Sequence, residues 1–142
     1  MPRERLAPDL LAESPLFPTM RLELIPVPVS DIELAKTFYV DHVGFNADHD
    51  VRPAEGVRVV QLTPPGSSCS VLLGAGLPAV EMKAGSLRGL HLVVDDLAAK
   101  RTHLIGRNVD VSEIEDMGGV LYASFADPDG NTWTLQQLPV SA

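Results

Sequence analysis

The sequence predicts an α+β protein of two tandem βαβββ modules, which form a curved mixed sheet around a cleft with helices on the outer faces. The first observation is that the order strand, helix, strand, strand, strand occurs twice along the 142 residues. The second is that the copies match in sequence. Val-Ser-Asp at 29–31 corresponds to Val-Asp-Asp at 94–96, and Pro-Gly-Ser at 65–67 corresponds to Asp-Gly-Asn at 129–131. Two copies of one unit indicate a pseudo-symmetric pair of modules.

The first module is predicted over residues 20–74. Its first strand carries prolines at 26 and 28, which remove backbone donors and place the strand's end at a sheet margin. Ser30 or Asp31 is the expected N-cap of its helix. The predicted elements are a strand, a helix, a weak strand and two good strands, at residues 20–29, 31–41, 45–51, 57–63 and 68–73.

The second module is predicted over residues 87–138. Asp95 and Asp96 open its helix. Asp-Pro-Asp-Gly at 127–130 is turn chemistry between two β-prone runs, because Pro presets φ and Gly accepts a positive φ. A closing hairpin is therefore expected. The predicted elements are a strand, a helix, a strand and the two hairpin strands, at residues 87–94, 95–106, 109–115, 118–126 and 131–138.

Two segments fall outside the modules. Residues 1–19 contain four prolines and weak periodicity, which predicts an arm outside the core. The alternative is a strap across a partner subunit, with apolar contacts from Leu10, Leu11, Leu16 and Phe17. Residues 75–86 carry Gly76, Pro78 and Gly85 and are predicted to be the linker.

Composition excludes several classes of protein. Hydrophobic residues make up 45% and charged residues 21%, as in an ordinary soluble globular protein. The net charge of −8 argues against binding to nucleic acid or to anionic membranes. No apolar run is long enough for a membrane helix, and no signal peptide pattern is present. Cys69 is the only cysteine, which excludes a disulfide framework and favours a cytoplasmic location.

Residues 20–138 resemble the vicinal oxygen chelate superfamily, which includes glyoxalase I, extradiol dioxygenases, and the bleomycin- and fosfomycin-resistance proteins. The paired βαβββ order carries the resemblance, together with the module opening at 27–31, the aromatic and glycine positions at 38–39 and 43–45, and Asp-Pro-Asp-Gly-Asn at 127–131. The resemblance implies a glyoxalase-like domain over residues 20–142. It also implies a homodimer, because members commonly pair modules across a dimer. It says much less about activity.

The metal-dependent members resemble one another at four ligand positions. Counted onto this sequence, those positions are Leu24, Ser70, Gly89 and Thr134. Leu and Gly offer no side-chain donor, and two hydroxyls do not hold Zn²⁺, Ni²⁺ or Fe²⁺ against water. A shift of one residue would bring in only Glu23. We therefore expect no metal site and no cofactor.

Residues two apart on a strand share a face, so the neighbours of these four positions should line the cleft. The lining is apolar, with hydroxyls, one amide and one imidazole, and it suits an uncharged, partly aromatic or polyketide-like organic ligand. The predicted cleft residues are Leu24, Pro26, Ser68, Ser70, Leu72, Gly89, His91, Val93, Thr132, Thr134 and Gln136.

His91 is the one candidate for acid–base catalysis, and the alternative is a histidine that lines the cleft without catalysing. His42 and His49 lie among aspartates, but their spacing fits a solvated acidic loop better than a metal site. Cys69 is expected to be a buried inert thiol and Trp133 a core residue, because both alternate with cleft-facing positions.

The sequence supports three functions. The first is a bleomycin-resistance-like protein that binds a small, largely apolar organic molecule without metal. The second is a metal-independent lyase, isomerase or cyclase of secondary metabolism, with His91 as base and Ser70, Thr134 or Gln136 orienting a carbonyl. The third is a metal-dependent glyoxalase or dioxygenase, which needs ligands that the sequence lacks. Nothing in the sequence decides between binding and turnover.

Overall fold

A computed structural model describes residues 16–140 of the chain, folded into two four-stranded mixed sheets with one α-helix in each module. Most of the predicted arm, including Leu10 and Leu11, lies outside the described residues. No helix within residues 16–140 has the length and apolar content needed to span a membrane.

The sheet of the first module contains, from one edge to the other, Leu24–Pro26 (β1), Ser70–Ala75 (β4), Val57–Thr63 (β3) and Asn46–Ala54 (β2), and β1 is parallel to β4. The Asp31 carboxylate caps the helix by accepting a 3.0 Å hydrogen bond from the Leu34 amide. A turn of π-helix continues the helix, and Gly44 ends it with φ 99°. The elements are β1 (Leu24–Pro26), α1 (Ile32–Thr37), the π turn (Phe38–Val43), β2 (Asn46–Ala54), β3 (Val57–Thr63) and β4 (Ser70–Ala75).

The second module repeats this arrangement. Its sheet contains, from one edge to the other, Leu90–Val93 (β5), Thr132–Gln137 (β8), Val120–Ala126 (β7) and Glu115–Met117 (β6), and β5 is parallel to β8. Asp96 caps its helix in the same way as Asp31 caps the first. The prediction of tandem βαβββ modules in an α+β fold is therefore confirmed. The elements are β5 (Leu90–Val93), α2 (Leu97–Gly106), β6 (Glu115–Met117), β7 (Val120–Ala126) and β8 (Thr132–Gln137), and a short 3-10 helix (Pro78–Val80) lies in the linker.

Some strand limits differ from the prediction. β1 is only three residues long, because prolines at 26 and 28 interrupt the ladder. The weak strand near residues 45–51 is instead nine residues long, since its stability comes from pairing with β3 and not from its own apolar content. The strand expected at 109–115 begins only at Glu115, and Val109 and Val111 are buried in the chain that leads to it.

One hydrophobic core joins the two modules. It contains Ala35 and Tyr39 from the first helical segment and Leu97 and Leu104 from α2, together with inward residues of both sheets. The two helical segments also meet at their ends, where the Arg107 guanidinium donates to the Asp41 carbonyl. The structure has two separate four-stranded sheets. α1 packs on β4, and α2 packs on β7 and β8. Phe38 and Tyr39 also pack against aromatic residues of the second sheet, so the first helical segment contacts both modules.

A buried polar network holds the modules together at the turn before β8. The Tyr39 hydroxyl donates to the Asp127 carboxylate at 2.7 Å and accepts from Trp133 Nε1 at 2.9 Å. The Asn131 side-chain amide donates to Asp127 and to the Pro28 carbonyl, both at 2.8 Å. The predicted Asp-Pro-Asp-Gly turn therefore also joins the modules. Burial and the Asp127 carboxylate raise the pKa of Tyr39.

Candidate functional site

The second sheet presents one face away from the common core. Trp133 and Leu135 of β8 are buried in the core, so the residues that alternate with them lie on the opposite face. Strand pairing aligns His91 with Thr134, and Thr134 with Ser124, across β5, β8 and β7. We call this the module-two face; its residues are His91, Val93, Tyr122, Ser124, Thr132, Thr134 and Gln136.

The first sheet has a corresponding module-one face. Leu24 pairs with Ser70, and Pro26 pairs with Leu72. The Ser70 hydroxyl is buried, lies 2.6 Å from the Thr63 hydroxyl and accepts a 3.3 Å hydrogen bond from the Gln61 amide. Thr63 also donates to Asp48. We define the module-one face as Leu24, Pro26, Gln61, Thr63, Ser70 and Leu72.

The predicted cleft residues therefore lie on two separate sheets. Ser70 of the module-one face and His91 of the module-two face both line a cavity of about 90 Å³ at the module junction. Ser68 is exposed in the turn before β4. Gly89 precedes β5 with φ 71°, and its amide donates to the Thr132 hydroxyl at 2.7 Å. A single chain does not enclose all eleven residues in one cleft.

The module-two face carries an open cavity of about 330 Å³. This volume falls within the range of roughly 300–1,000 Å³ that is usual for small-molecule sites. Thr134 is the one residue of the predicted cleft that lines it. The lining residues are Ser112, Glu113, Glu115, Tyr122, Ala123, Ser124 and Thr134.

Sequence reasoning missed Tyr122 and Ser124 because the register of β7 was not known. The signal in the sequence is alternation, since Tyr122 and Ser124 alternate with Ala123 and Phe125, and the structure buries the latter two in the core. Glu113 and Glu115 were missed because the strand before β7 was predicted too early. Strand pairing brings Glu115 opposite Tyr122, at the edge of the sheet.

His91 lies beside this cavity and is exposed. Its ring meets the ring of Tyr122 edge to face, with centroids 6.4 Å apart. Its Nδ1 atom lies 2.6 Å from the carbonyl oxygen of Gly89. Both the hydrogen bond and the aromatic contact hold the imidazole in one orientation on the face.

The four family ligand positions do not fit a metal ion. Pairing places His91, and not Gly89, directly beside Thr134, in the way that Leu24 stands beside Ser70. Even with His91 in the set, the donors are one imidazole and two hydroxyls, whereas zinc sites use at least three imidazole, thiolate or carboxylate ligands. Within residues 16–140, no three His, Cys, Asp or Glu side chains are grouped so that they could hold a metal.

Other candidate residues lie apart from this face. His42 stacks on Phe38 and contacts the Arg107 carbonyl at 2.6 Å, while His49 lies on exposed β2. Trp133 is buried as predicted. Cys69 was expected to be buried but is half-buried, because the cavity at the module junction exposes part of it.

Two further concave regions are less suited to an organic ligand. A cavity of about 120 Å³ between the modules is lined by apolar side chains, Val93 of the predicted set among them, and by Lys100, and it is small for an organic ligand. A wide groove of about 660 Å³ runs along the β2–β3 hairpin. Its Arg58 guanidinium is already engaged by Asp50 and Glu33. The module-two face is therefore the best candidate for the site.

Comparison with known proteins agrees with this architecture. Residues 21–135 match the sequence profile of the Glyoxalase/Bleomycin resistance protein/Dioxygenase superfamily. Comparison with curated proteins found no match. Among solved structures, the chain is similar to the antibiotic binding protein TnmS3 from Streptomyces sp. CB03234, with 39% identity and a TM-score of 0.75. That alignment covers 84% of this chain and 97% of TnmS3.

Two other solved structures are similar over most of their length. A glyoxalase/bleomycin resistance protein from the same Streptomyces strain is 41% identical, with a TM-score of 0.71 and coverage of 82% of this chain and 100% of that one. A superfamily member from Sphaerobacter thermophilus DSM 20745 is 31% identical, with a TM-score of 0.72 and coverage of 84% and 98%. With a profile match over most of its length and these structural relatives, the chain belongs to the glyoxalase/bleomycin resistance protein/dioxygenase superfamily.

Proposed function

We propose that the protein is a metal-independent, bleomycin-resistance-like binder of a small, largely apolar organic molecule. The observation that carries this proposal is the 330 Å³ cavity on the module-two face, which is lined by the Tyr122 ring, by hydroxyls and by Glu113 and Glu115, and where residues 16–140 form no cluster of metal ligands. The similarity to an antibiotic binding protein over 84% of the chain supports an antibiotic-like ligand.

We propose further that the site is completed in a homodimer. The cavity is open on one side, and no residue of the module-one face of the same chain lines it. A second copy can cover the cavity with its own module-one face, whose partly exposed Leu24 and Pro26 supply an apolar surface. Val93 is 64% exposed, and among residues 16–140 no strand pairs with the outer edge of β1 or of β5; both features support such an association. The cytoplasmic location stays a prediction from the sequence.

The binding proposal is tested by calorimetric titration with a panel of aromatic polyketide antibiotics, with and without EDTA. We expect micromolar or tighter binding of at least one member, unchanged by chelation, and recovery of the ligand intact by mass spectrometry. Ser124→Arg should abolish binding, because the long cationic side chain would occupy the cavity. The matched control is Thr102→Arg on the exposed surface of α2, which should bind like the wild type. Equal binding by Ser124→Arg would rule out this site.

Metal independence has its own test. Elemental analysis of the purified protein, before and after incubation with Zn²⁺, Ni²⁺ and Fe²⁺, should show far less than one equivalent per chain. One tightly held equivalent would overturn the proposal and return a metal-dependent glyoxalase or dioxygenase to consideration.

A second candidate function is a metal-independent lyase, isomerase or cyclase. The observation that favours it is the exposed imidazole of His91, oriented by Gly89 and next to Tyr122 and Thr134. Such an enzyme would convert the bound ligand, and His91→Ala should abolish turnover while affinity stays nearly intact. A ligand that is recovered unchanged, or turnover that survives His91→Ala, would exclude this version.

A further inference from the structure

We infer that the module-two face selects aromatic ligands that donate a hydrogen bond, as a phenol does, and that His91 Nε2 is the acceptor. This inference rests on the proposed binding function and names the ligand class of the same site. It follows from the direction of the hydrogen bonds on this face, taken one group at a time.

The carbonyl of Gly89 determines the tautomer of His91. The Gly89 carbonyl oxygen can only accept a hydrogen bond, so its 2.6 Å contact with Nδ1 requires the proton to be on Nδ1. A neutral imidazole carries a single ring proton, and Nε2 is therefore left with a free lone pair. The carbonyl is itself held in place, since the Gly89 amide donates to the Thr132 hydroxyl. The hydrogen bond to the backbone therefore leaves Nε2 of His91 as a hydrogen-bond acceptor.

The charged neighbours of His91 are also hydrogen-bond acceptors. The charged side chains that line the adjacent cavity are Glu113 and Glu115, and an ionised carboxylate only accepts hydrogen bonds. No Lys or Arg is among the residues that line this cavity. The hydroxyls of Ser124 and Thr134 can rotate to serve either role. The groups of the site whose role is fixed, His91 Nε2 and the two glutamates, are therefore all hydrogen-bond acceptors. A ligand that binds them needs a hydrogen-bond donor.

The rings of His91 and Tyr122 favour a flat aromatic ligand. The Tyr122 ring stands edge-on to the imidazole, so an aromatic ring placed over Thr134 would contact both side chains. A hydroxyl on that ring would then reach Nε2. An ether or a quinone oxygen at the same place would leave two acceptors facing each other, which lowers affinity by about tenfold or more.

The test compares 2-naphthol with 2-methoxynaphthalene, which share a ring system and differ in the donor. Calorimetric titration of the wild-type protein should show naphthol binding about tenfold tighter or more. The hydrophobic effect alone predicts the opposite order, because the methyl ether is the less polar probe. In His91→Phe the preference should fall below about twofold, with binding of the ether little changed, since an aromatic ring beside Tyr122 is kept.

Two further variants serve as a control and as a partial rescue of His91→Phe. His103→Phe removes an exposed histidine of α2 and should keep the full preference for naphthol. His91→Gln places an amide oxygen close to the position of Nε2 and should restore part of the preference.

Equal affinities for the two probes in the wild type would overturn the inference, as would a preference that survives His91→Phe. If neither probe binds while the antibiotic panel does, the inference also fails, because either ring fits the cavity. In each of these cases the proposed binding function stands. Failure of the panel as well as both probes would instead reject the proposed function itself.

Discussion

The hydroxyl of Tyr39, in the first module, donates a 2.7 Å hydrogen bond to the carboxylate of Asp127, in the second. Both residues are buried, and the two are far apart in the chain. The same hydroxyl accepts from Trp133 Nε1. One phenol thus satisfies a buried carboxylate and a buried indole at the junction that separates the two faces.

Removing that hydroxyl should destabilise the protein. In Tyr39→Phe, Trp133 Nε1 loses its acceptor and is left unpaired, whereas Asp127 loses one donor but still accepts from Asn131 and from backbone amides. A buried group left unpaired costs about 1–3 kcal/mol, and we expect the free energy of unfolding in urea to fall by about that amount. Tyr122→Phe, on the open face, is the matched control and should change it by less than about 0.5 kcal/mol. A Tyr39→Phe variant as stable as that control would contradict the role of the network.

Tyr39 should also make stability fall at alkaline pH. Its pKa is raised by burial and by Asp127, above the ordinary value of 10.0. Below about pH 10 both the folded and the unfolded chain keep the proton; above it only the folded chain does, so unfolding becomes more favourable as pH rises. Unfolding free energies measured between pH 9 and 11 should fall more steeply for the wild type than for Tyr39→Phe, by up to about 1.4 kcal/mol per pH unit. Parallel curves would show that Tyr39 ionises freely in the folded state.

Asp50 should stabilise the first module at neutral pH. Hydrogen bonds from Arg58 and Lys36 lower the pKa of its carboxyl, and the interaction joins β2 to α1. Because the pKa is lower in the folded state, the stabilisation is present above about pH 4 and is lost as pH falls below it. Asp50→Asn should lower the free energy of unfolding by about 1 kcal/mol at pH 7, since the side chain is partly exposed and solvent screens it.

The control for Asp50 is Asp110→Asn, another exposed aspartate, which should have little effect at any pH. The difference between Asp50→Asn and the wild type should shrink below pH 4 and in about 1 M salt, where charges are screened over about 3 Å. A loss of stability that is independent of both pH and salt would indicate lost packing and not lost charge.

The proposed dimer makes a prediction about Val93. This side chain is 64% exposed at the end of β5, on the module-two face. Val93→Arg should raise the dimer dissociation constant by at least about tenfold, because a charge would be buried in an apolar contact. Sedimentation velocity at micromolar concentrations measures the change. Ile105→Arg, an exposed apolar residue of α2, should leave the association state unchanged. A wild-type protein that sediments as a monomer at all concentrations would reject the dimer.

Much of the local structure was predictable because its causes lie within a few residues. Asp31 and Asp96 cap their helices through amides three residues later. The turn at 127–130 follows from Pro and Gly chemistry. β2 was underestimated because its residues are all exposed and its partner strand supplies the hydrogen bonds. Its length could not be read from its own composition.

The candidate site was predicted only in part. Alternation along β8 placed Thr132, Thr134 and Gln136 on one face, and the structure brings His91 beside Thr134. The face on which Tyr122 and Ser124 lie depends on the register of β7. A turn in the sequence does not determine that register, because a shift of one residue moves every side chain of the strand to the other face. Glu115 reaches the cavity only because β6 pairs at the outer edge of the sheet.

The sequence by itself determined the family, the repeated module order and the helix caps, because these depend on motifs and on hydrogen bonds between near neighbours. Only the tertiary structure decided that the first helical segment packs on both sheets, and that the predicted cleft residues lie on two separate sheets. The physical reason is that Phe38 and Tyr39 gain a buried surface and hydrogen-bond partners only when the second sheet covers them. That packing, between residues far apart in the chain, left His91 and its acceptor nitrogen on an open face.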